Sequence, residues 1–234
     1  MNLTRKKTIL ILSANPKDTR WVRSDEEIRE IKVSLERSKY HENFSIETSE
    51  ATTVADLQLI LLKHNPHIIH FCGHGEAGEL LFEDATGKKQ QVPVDALAEL
   101  FKLCGKTIEC VVLNACQTEP QAEAIHQYIP CVIGMNQNIS NKAAMLFATG
   151  FYTGLGNGKS YREAFDFGCN RIRSEKTHSS EGSIPVLLEK PGEKQLPGEQ
   201  VHGEVDYKWD IFLSYDYDPK WDFREWLKLF KERF

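Results

Sequence analysis

Short, wholly apolar runs alternate along the chain with stretches in which apolar residues recur every three or four positions. The first pattern reads as buried parallel strands and the second as helices lying over them. Thr8 to Ala14 (TILILSA) is a first central strand stopped by Asn15-Pro16, and a polar loop, Lys17 to Arg23, follows. Ser24-Asp25-Glu26-Glu27 has the Ser-x-x-Glu spacing of a capping box, and Ile28, Ile31 and Leu35 then fall on one helical face. Phe44, Ile46 and Thr48 alternate with polar residues, as in a strand nearer the sheet edge. Thr53-x-x-Asp56 caps a further helix, with Val54, Leu57, Ile60 and Leu61 inward, which Asn65-Pro66 ends. Strand, helix, strand, helix, strand is the rhythm of a parallel sheet covered by helices.

Ile68 to Cys72 forms the next strand, and a small hairpin follows: Glu79 to Glu83 and Gln91 to Val94, around Thr86-Gly87-Lys88. A helix carrying Ala96, Leu97, Leu100 and Phe101 inward precedes the strand beginning at Cys110. Gln121 to Tyr128 reads as helix, Cys131 to Met135 as strand, and Ala143 to Leu155 as a long apolar helix closed by glycines. Ser160 to Arg173 is one more helix, with Ala164, Phe165 and Cys169 inward, before a last strand from Ile184 to Leu188. Residues 190–207 have prolines, glycines and charges without apolar periodicity, so they read as a linker between a main domain, 1–189, and a terminal segment, 208–234. The fold class is therefore α/β: a mostly parallel sheet flanked by helices, a linker, and a short C-terminal α/β fragment too small for its own core.

Charge and composition narrow the function. A net charge of −5 with dispersed lysines and arginines gives no basic surface for nucleic acid. The apolar stretch behind Arg5, Lys6 and Lys7 is far too short for a signal peptide or a membrane span, so the chain reads as cytoplasmic. None of the six cysteines stands in a CxxC pair, which leaves zinc and dithiol chemistry without support. His64, His67, His70 and His74 are spaced like a metal cluster, but a proline-broken turn separates the first two from the strand; His70 reads as a core histidine, and no metal or cofactor is expected. Gly158-Lys159-Ser160 lacks the upstream glycine of a phosphate loop and follows a helix, so it reads as a helix C-cap.

Two strands end in residues that carry chemistry. Ile68 to Cys72 runs into Gly73-His74-Gly75, and Cys110 to Asn114 runs into Ala115-Cys116-Gln117-Thr118. In open α/β sheets chemistry collects beyond the carboxyl ends of such strands. A cysteine and a histidine meeting there make a nucleophile and its base. The glycines beside His74 permit unusual backbone angles and close substrate approach, and the Gly75 and Cys116 N–H groups are placed to meet an oxyanion. Asn114 and Gln117, flanking the cysteine, are candidates for orienting substrate or for ordinary loop hydrogen bonds.

The pair His-Phe-Cys-Gly-His-Gly and Val-Val-Leu-Asn-Ala-Cys-Gln-Thr resembles the CHAT family of caspase-like cysteine peptidases, supported by Ile9 to Thr19, Ile133 to Met135 and Pro185 to Leu188. The resemblance covers about the first 190 residues and is similar to the bacterial branch often attached to signalling or defence modules. It implies a caspase-haemoglobinase fold, His74 as general base, Cys116 as nucleophile, and a protein or peptide substrate. It also implies that the loop after the first strand helps form the pocket for the residue before the scissile bond. That loop holds Asp18, Arg20, Arg23 and Asp25, whose opposite charges leave the preference open. Trp209 to Tyr215 (WDIFLSY) resembles the first strand of TIR domains, with only a helix after it; the glutamate by which some TIR domains cleave NAD would lie beyond residue 234. A cytosolic peptidase also needs restraint, which an activating partner or a downstream domain would supply.

Overall fold

The computed structural model describes residues 6–190. The expected linker and the TIR-like segment therefore lie outside the described residues, apart from Lys190. At the centre is a six-stranded sheet of β1 (Lys7–Ser13), β2 (Phe44–Ser49), β3 (Ile68–Cys72), β7 (Cys110–Asn114), β8 (Cys131–Met135) and β9 (Pro185–Glu189), in the order β2-β1-β3-β7-β8-β9. All neighbouring pairs are parallel except β8 with β9. A second, three-stranded antiparallel sheet joins β4 (His74–Glu76), β5 (Glu79–Glu83) and β6 (Lys89–Val92). The expected hairpin thus gains a strand, because the chain leaving His74 pairs with Leu80 and Leu81 before turning back.

Strand alternation sorts the core into two layers. Ile9, Ile11, Ile68, Cys110 and Val112 face α1 (Ser24–Glu36), α5 (Asn141–Gly156) and α6 (Tyr161–Arg173). Leu10, Leu12, Ile69, Phe71, Val111 and Leu113 face α2 (Val54–His64), α3 (Val94–Cys104) and α4 (Glu119–His126). Every residue of β3, β7 and β8 is buried, as continuous apolar runs require of strands covered on both faces. His70 and Asn114 belong to that run by position, and both turn toward the α1/α5 side with the alternate residues of their strands.

The helix ends follow local chemistry with one instructive exception. Thr53 caps α2, its side chain accepting from the Asp56 N–H. Gly158, at φ +81, follows the end of α5 while the Lys159 N–H returns to the Gly154 carbonyl, so Gly-Lys-Ser is the expected C-cap. Ser160 and Glu163 form a full capping box on α6. The same spacing at Ser24 and Glu27 forms none: Ser24 is already helical, no side chain caps α1, and Glu27 is buried. On α3, Ala98 is buried beside Leu97 and Phe101 while Ala96 is exposed, so the inward face is turned slightly from the expected one.

Candidate active site

Parallel pairing of β3 with β7 sets Cys72 opposite Asn114, so the two strands end level. The chains leaving them, Gly73-His74 and Ala115-Cys116, therefore emerge side by side and line one cavity of about 380 Å³. Arg20, Val22 and Glu27 close one side of it, and Ile139, Ser140 and Ala144 the other.

His74 is half-buried, and its Nε2 lies 2.5 Å from the Arg20 carbonyl oxygen. A carbonyl only accepts, so Nε2 carries the proton and Nδ1 keeps its lone pair. Burial pushes the His74 pKa below its ordinary 6.5, against the opposing pull of the Arg20 carbonyl and the Glu76 carboxylate. The neutral ring, protonated on Nε2, is the form this setting favours. Cys116 is partly buried, and its thiol donates to the Ile139 carbonyl at 3.6 Å.

The turn that carries Cys116 is held from three sides. Gln117 sits at φ +54, uncommon for a non-glycine residue, with its N–H donating to the Gln137 carbonyl. Thr118, fully buried, shares its hydroxyl proton between the Leu113 and Ala115 carbonyls at 3.0 Å and accepts from the Met135 N–H at 3.0 Å. Gly75 packs so closely that a Cβ placed on it would stand 2.0 Å from the Cys116 carbonyl oxygen. Neither Gly73 nor Gly75 has a positive φ, so both are there for close approach and not for unusual backbone angles.

Next to Cys116, lining the same cavity, lies a buried polar network. Glu27 Oε1 accepts from His70 Nε2 and from Asn114 Nδ2, each at 2.7 Å, and Asn114 Nδ2 also donates to the Ala144 carbonyl at 3.0 Å. His70 packs at 5.5 Å against the Tyr152 ring. Of the residues expected to touch substrate, Arg20, Arg23 and Asn114 line the cavity together with His74 and Cys116. Asp18 instead accepts from the Lys89 N–H, Asp25 is exposed on α1, and Gln117 is exposed beyond the turn; none of these lines the cavity. Glu27 and Thr118 are additions. Glu27 precedes Ile31 by one helical turn, an inward position that the capping-box spacing disguised. Among the described residues no group of histidines, cysteines and acids is arranged to hold a metal, and no helix is long and apolar enough to cross a membrane.

A family model described as CHAT domain matches residues 2–180. A protein named "Probable protease" from Gillisia limnaea is 26% identical over 155 residues, which is 65% of this chain and 27% of that protein. A "Roc-COR-CHAT protease" from an unknown prokaryotic organism is 22% identical over 188 residues, 77% of this chain and 18% of that one. The chain thus spans about a quarter or less of the curated relatives it matches. Among solved structures, a secreted C11 cysteine protease from Bacteroides thetaiotaomicron, in complex with an irreversible peptide inhibitor, superposes with a TM-score of 0.59 at 11% identity, over 73% of this chain and 59% of that one. The Arg-specific cysteine proteinase gingipain R gives 0.56 at 11% identity, over 79% and 46%. These likenesses establish a caspase-like cysteine-peptidase fold.

Proposed function

Since the chain belongs to the CHAT domain family, we propose that it is a cysteine endopeptidase working through a His74–Cys116 dyad. The observation that carries the reading is the level ending of β3 and β7, after which His74 and Cys116 line the same cavity. His74 Nδ1, the free lone pair of the ring, takes the Cys116 proton, and the thiolate attacks the scissile carbonyl. The Gly75 and Cys116 N–H groups receive the oxyanion; the Cys116 N–H has no protein acceptor among the described residues. His74 returns the proton to the departing amine, and water then hydrolyses the acyl-enzyme. Burial that keeps the imidazole neutral supports its role as base at ordinary pH.

The substrate in this reading is a partner protein, cleaved as the output of a bacterial stress or antiviral response. The kinship with prokaryotic proteins named as proteases supports the proteolytic part of that reading. An irreversible peptidyl electrophile, followed by intact mass and peptide mapping, tests the dyad. Labelling should fall on Cys116 and be lost in Cys116→Ala and sharply slowed in His74→Ala. Labelling of Cys116 at an unchanged rate in His74→Ala would point instead to a non-catalytic, caspase-like scaffold.

A further inference from the structure

Glu27 is a carboxylate about as buried as the hydrophobic core, at 4% exposure, yet it lines the cavity beside the dyad. Burying a carboxylate is costly unless its oxygens are satisfied. Only Oε1 is: it takes the hydrogen bonds from His70 and Asn114, and Oε2 accepts none among the described residues. Asn114 repeats the pattern. Its Nδ2 donates to two groups that only accept, Glu27 Oε1 and the Ala144 carbonyl, which fixes the orientation of the amide. Its Oδ1 is then left buried without a hydrogen-bond partner, in a residue that is 3% exposed and lines the same cavity. Glu27 and Asn114 thus both border the cavity, and each side chain keeps one acceptor without a partner among the described residues, Oε2 and Oδ1.

His70 Nε2 donates to Glu27, and its Nδ1, fully buried, has no hydrogen-bond partner. The cations near the cavity are at its rim: Arg20 and Arg23 are exposed, and Arg23 is held by Glu26 at 2.9 Å. Charges in that position are screened by water, whereas one at the floor is not. Val22, Ile139 and Ala144 supply an apolar wall for an aliphatic stem.

We propose that Glu27 and Asn114 form the floor of the specificity pocket and select a basic side chain, arginine above lysine, at the residue preceding the scissile bond. A guanidinium offers a planar fork of N–H donors and no acceptor, which suits Glu27 Oε2 and Asn114 Oδ1 together. An acidic side chain would meet like charge, and an apolar one would leave both acceptors buried and unfilled. The proposal rests on the peptidase reading above.

The test is a set of peptidyl acyloxymethyl ketones differing only in the residue before the ketone: arginine, lysine, citrulline, leucine or aspartate. Second-order rates of Cys116 labelling are measured on the unmutated chain and on Glu27→Gln, which keeps an oxygen for His70 and Asn114 but removes the charge. Arginine should label about 30-fold or more faster than citrulline, its uncharged isostere, and than leucine. In Glu27→Gln that ratio should shrink to about 3-fold or less while the leucine rate holds. Equal rates for arginine and citrulline on the unmutated chain would overturn the proposal even if Glu27→Gln did not fold. An arginine preference that survived in a folded Glu27→Gln would overturn it as well. Cys116 unlabelled by every probe would instead remove the peptidase reading, and this pocket with it.

Discussion

Replacing Gly75 with alanine introduces a single methyl group at the tightest contact in the site. The new carbon would lie 2.0 Å from the Cys116 carbonyl oxygen and 3.0 Å from its carbon, with the Thr118 methyl at 3.2 Å. The oxygen belongs to the backbone of the Cys116 turn, so no side chain can swing aside; β4 or the turn must move by about 1 Å. Displacement of that size at reacting groups costs about 100-fold in rate. The packing strain itself should cost about 1–3 kcal/mol, or about 2–12 °C in melting temperature for a domain of this size. The variant should therefore remain folded and lose Cys116 labelling far out of proportion to its loss of stability. Rates of labelling by a peptidyl electrophile, with thermal unfolding on the same samples, make the comparison. Gly75→Ala labelling within about 3-fold of the unmutated rate would refute the claim that the β4–turn contact sets the position of the nucleophile.

Further outcomes follow from the same geometry. Because burial lowers the His74 pKa below 6.5, the acidic limb of the pH–rate profile should have its midpoint below that value, and a midpoint above it would contradict the assignment. The sign for stability is the same: a lowered folded-state pKa means that His74's contribution is complete above 6.5 and is lost as pH falls through the folded value, which stability curves of His74→Gln against the unmutated chain should show. Thr118→Val removes a buried hydroxyl serving two carbonyls and the Met135 N–H; denaturant unfolding should show a loss of about 1–3 kcal/mol, with slower labelling of Cys116. Ser160→Ala deletes the capping box of α6, remote from the dyad, and should lower the melting temperature by about 2–4 °C while leaving labelling unchanged.

Much of the fold was legible because the central strands are apolar on both faces. Cys131–Met135 begins and ends where its run of apolar residues does, the end of β3 is marked by Gly73, and that of β7 by the polar Asn114 after Cys110 to Leu113. His74 and Cys116 stand out for the same reason, as reactive residues following such runs. The pocket floor was less legible. Ser24-x-x-Glu27 and Ser160-x-x-Glu163 have identical spacing, yet only the second is a capping box. At Ser160 the helix begins in solvent and Glu163 is free to turn back on the chain, where the Ser160 backbone and side-chain hydrogen bonds hold its pKa down to about 2. At Ser24 the equivalent acid lies on the face that the sheet covers, where His70 and Asn114 claim it. Spacing states which residues can meet within a helix, but not which face a neighbouring strand will cover. The roles of Asp18 and Asp25 were hidden for the same reason: charge in a loop is visible, its direction is not.

Proteolysis itself is the central claim, and mapping of newly formed protein N-termini tests it most directly. Bacterial lysate is incubated with the unmutated chain, with Cys116→Ala or with His74→Ala, and the termini that appear are compared. The account predicts a set of new termini present only with the unmutated chain, with arginine or lysine on the preceding side of the cut. New termini that persisted undiminished in Cys116→Ala would show that whatever cleaves those proteins is not this site.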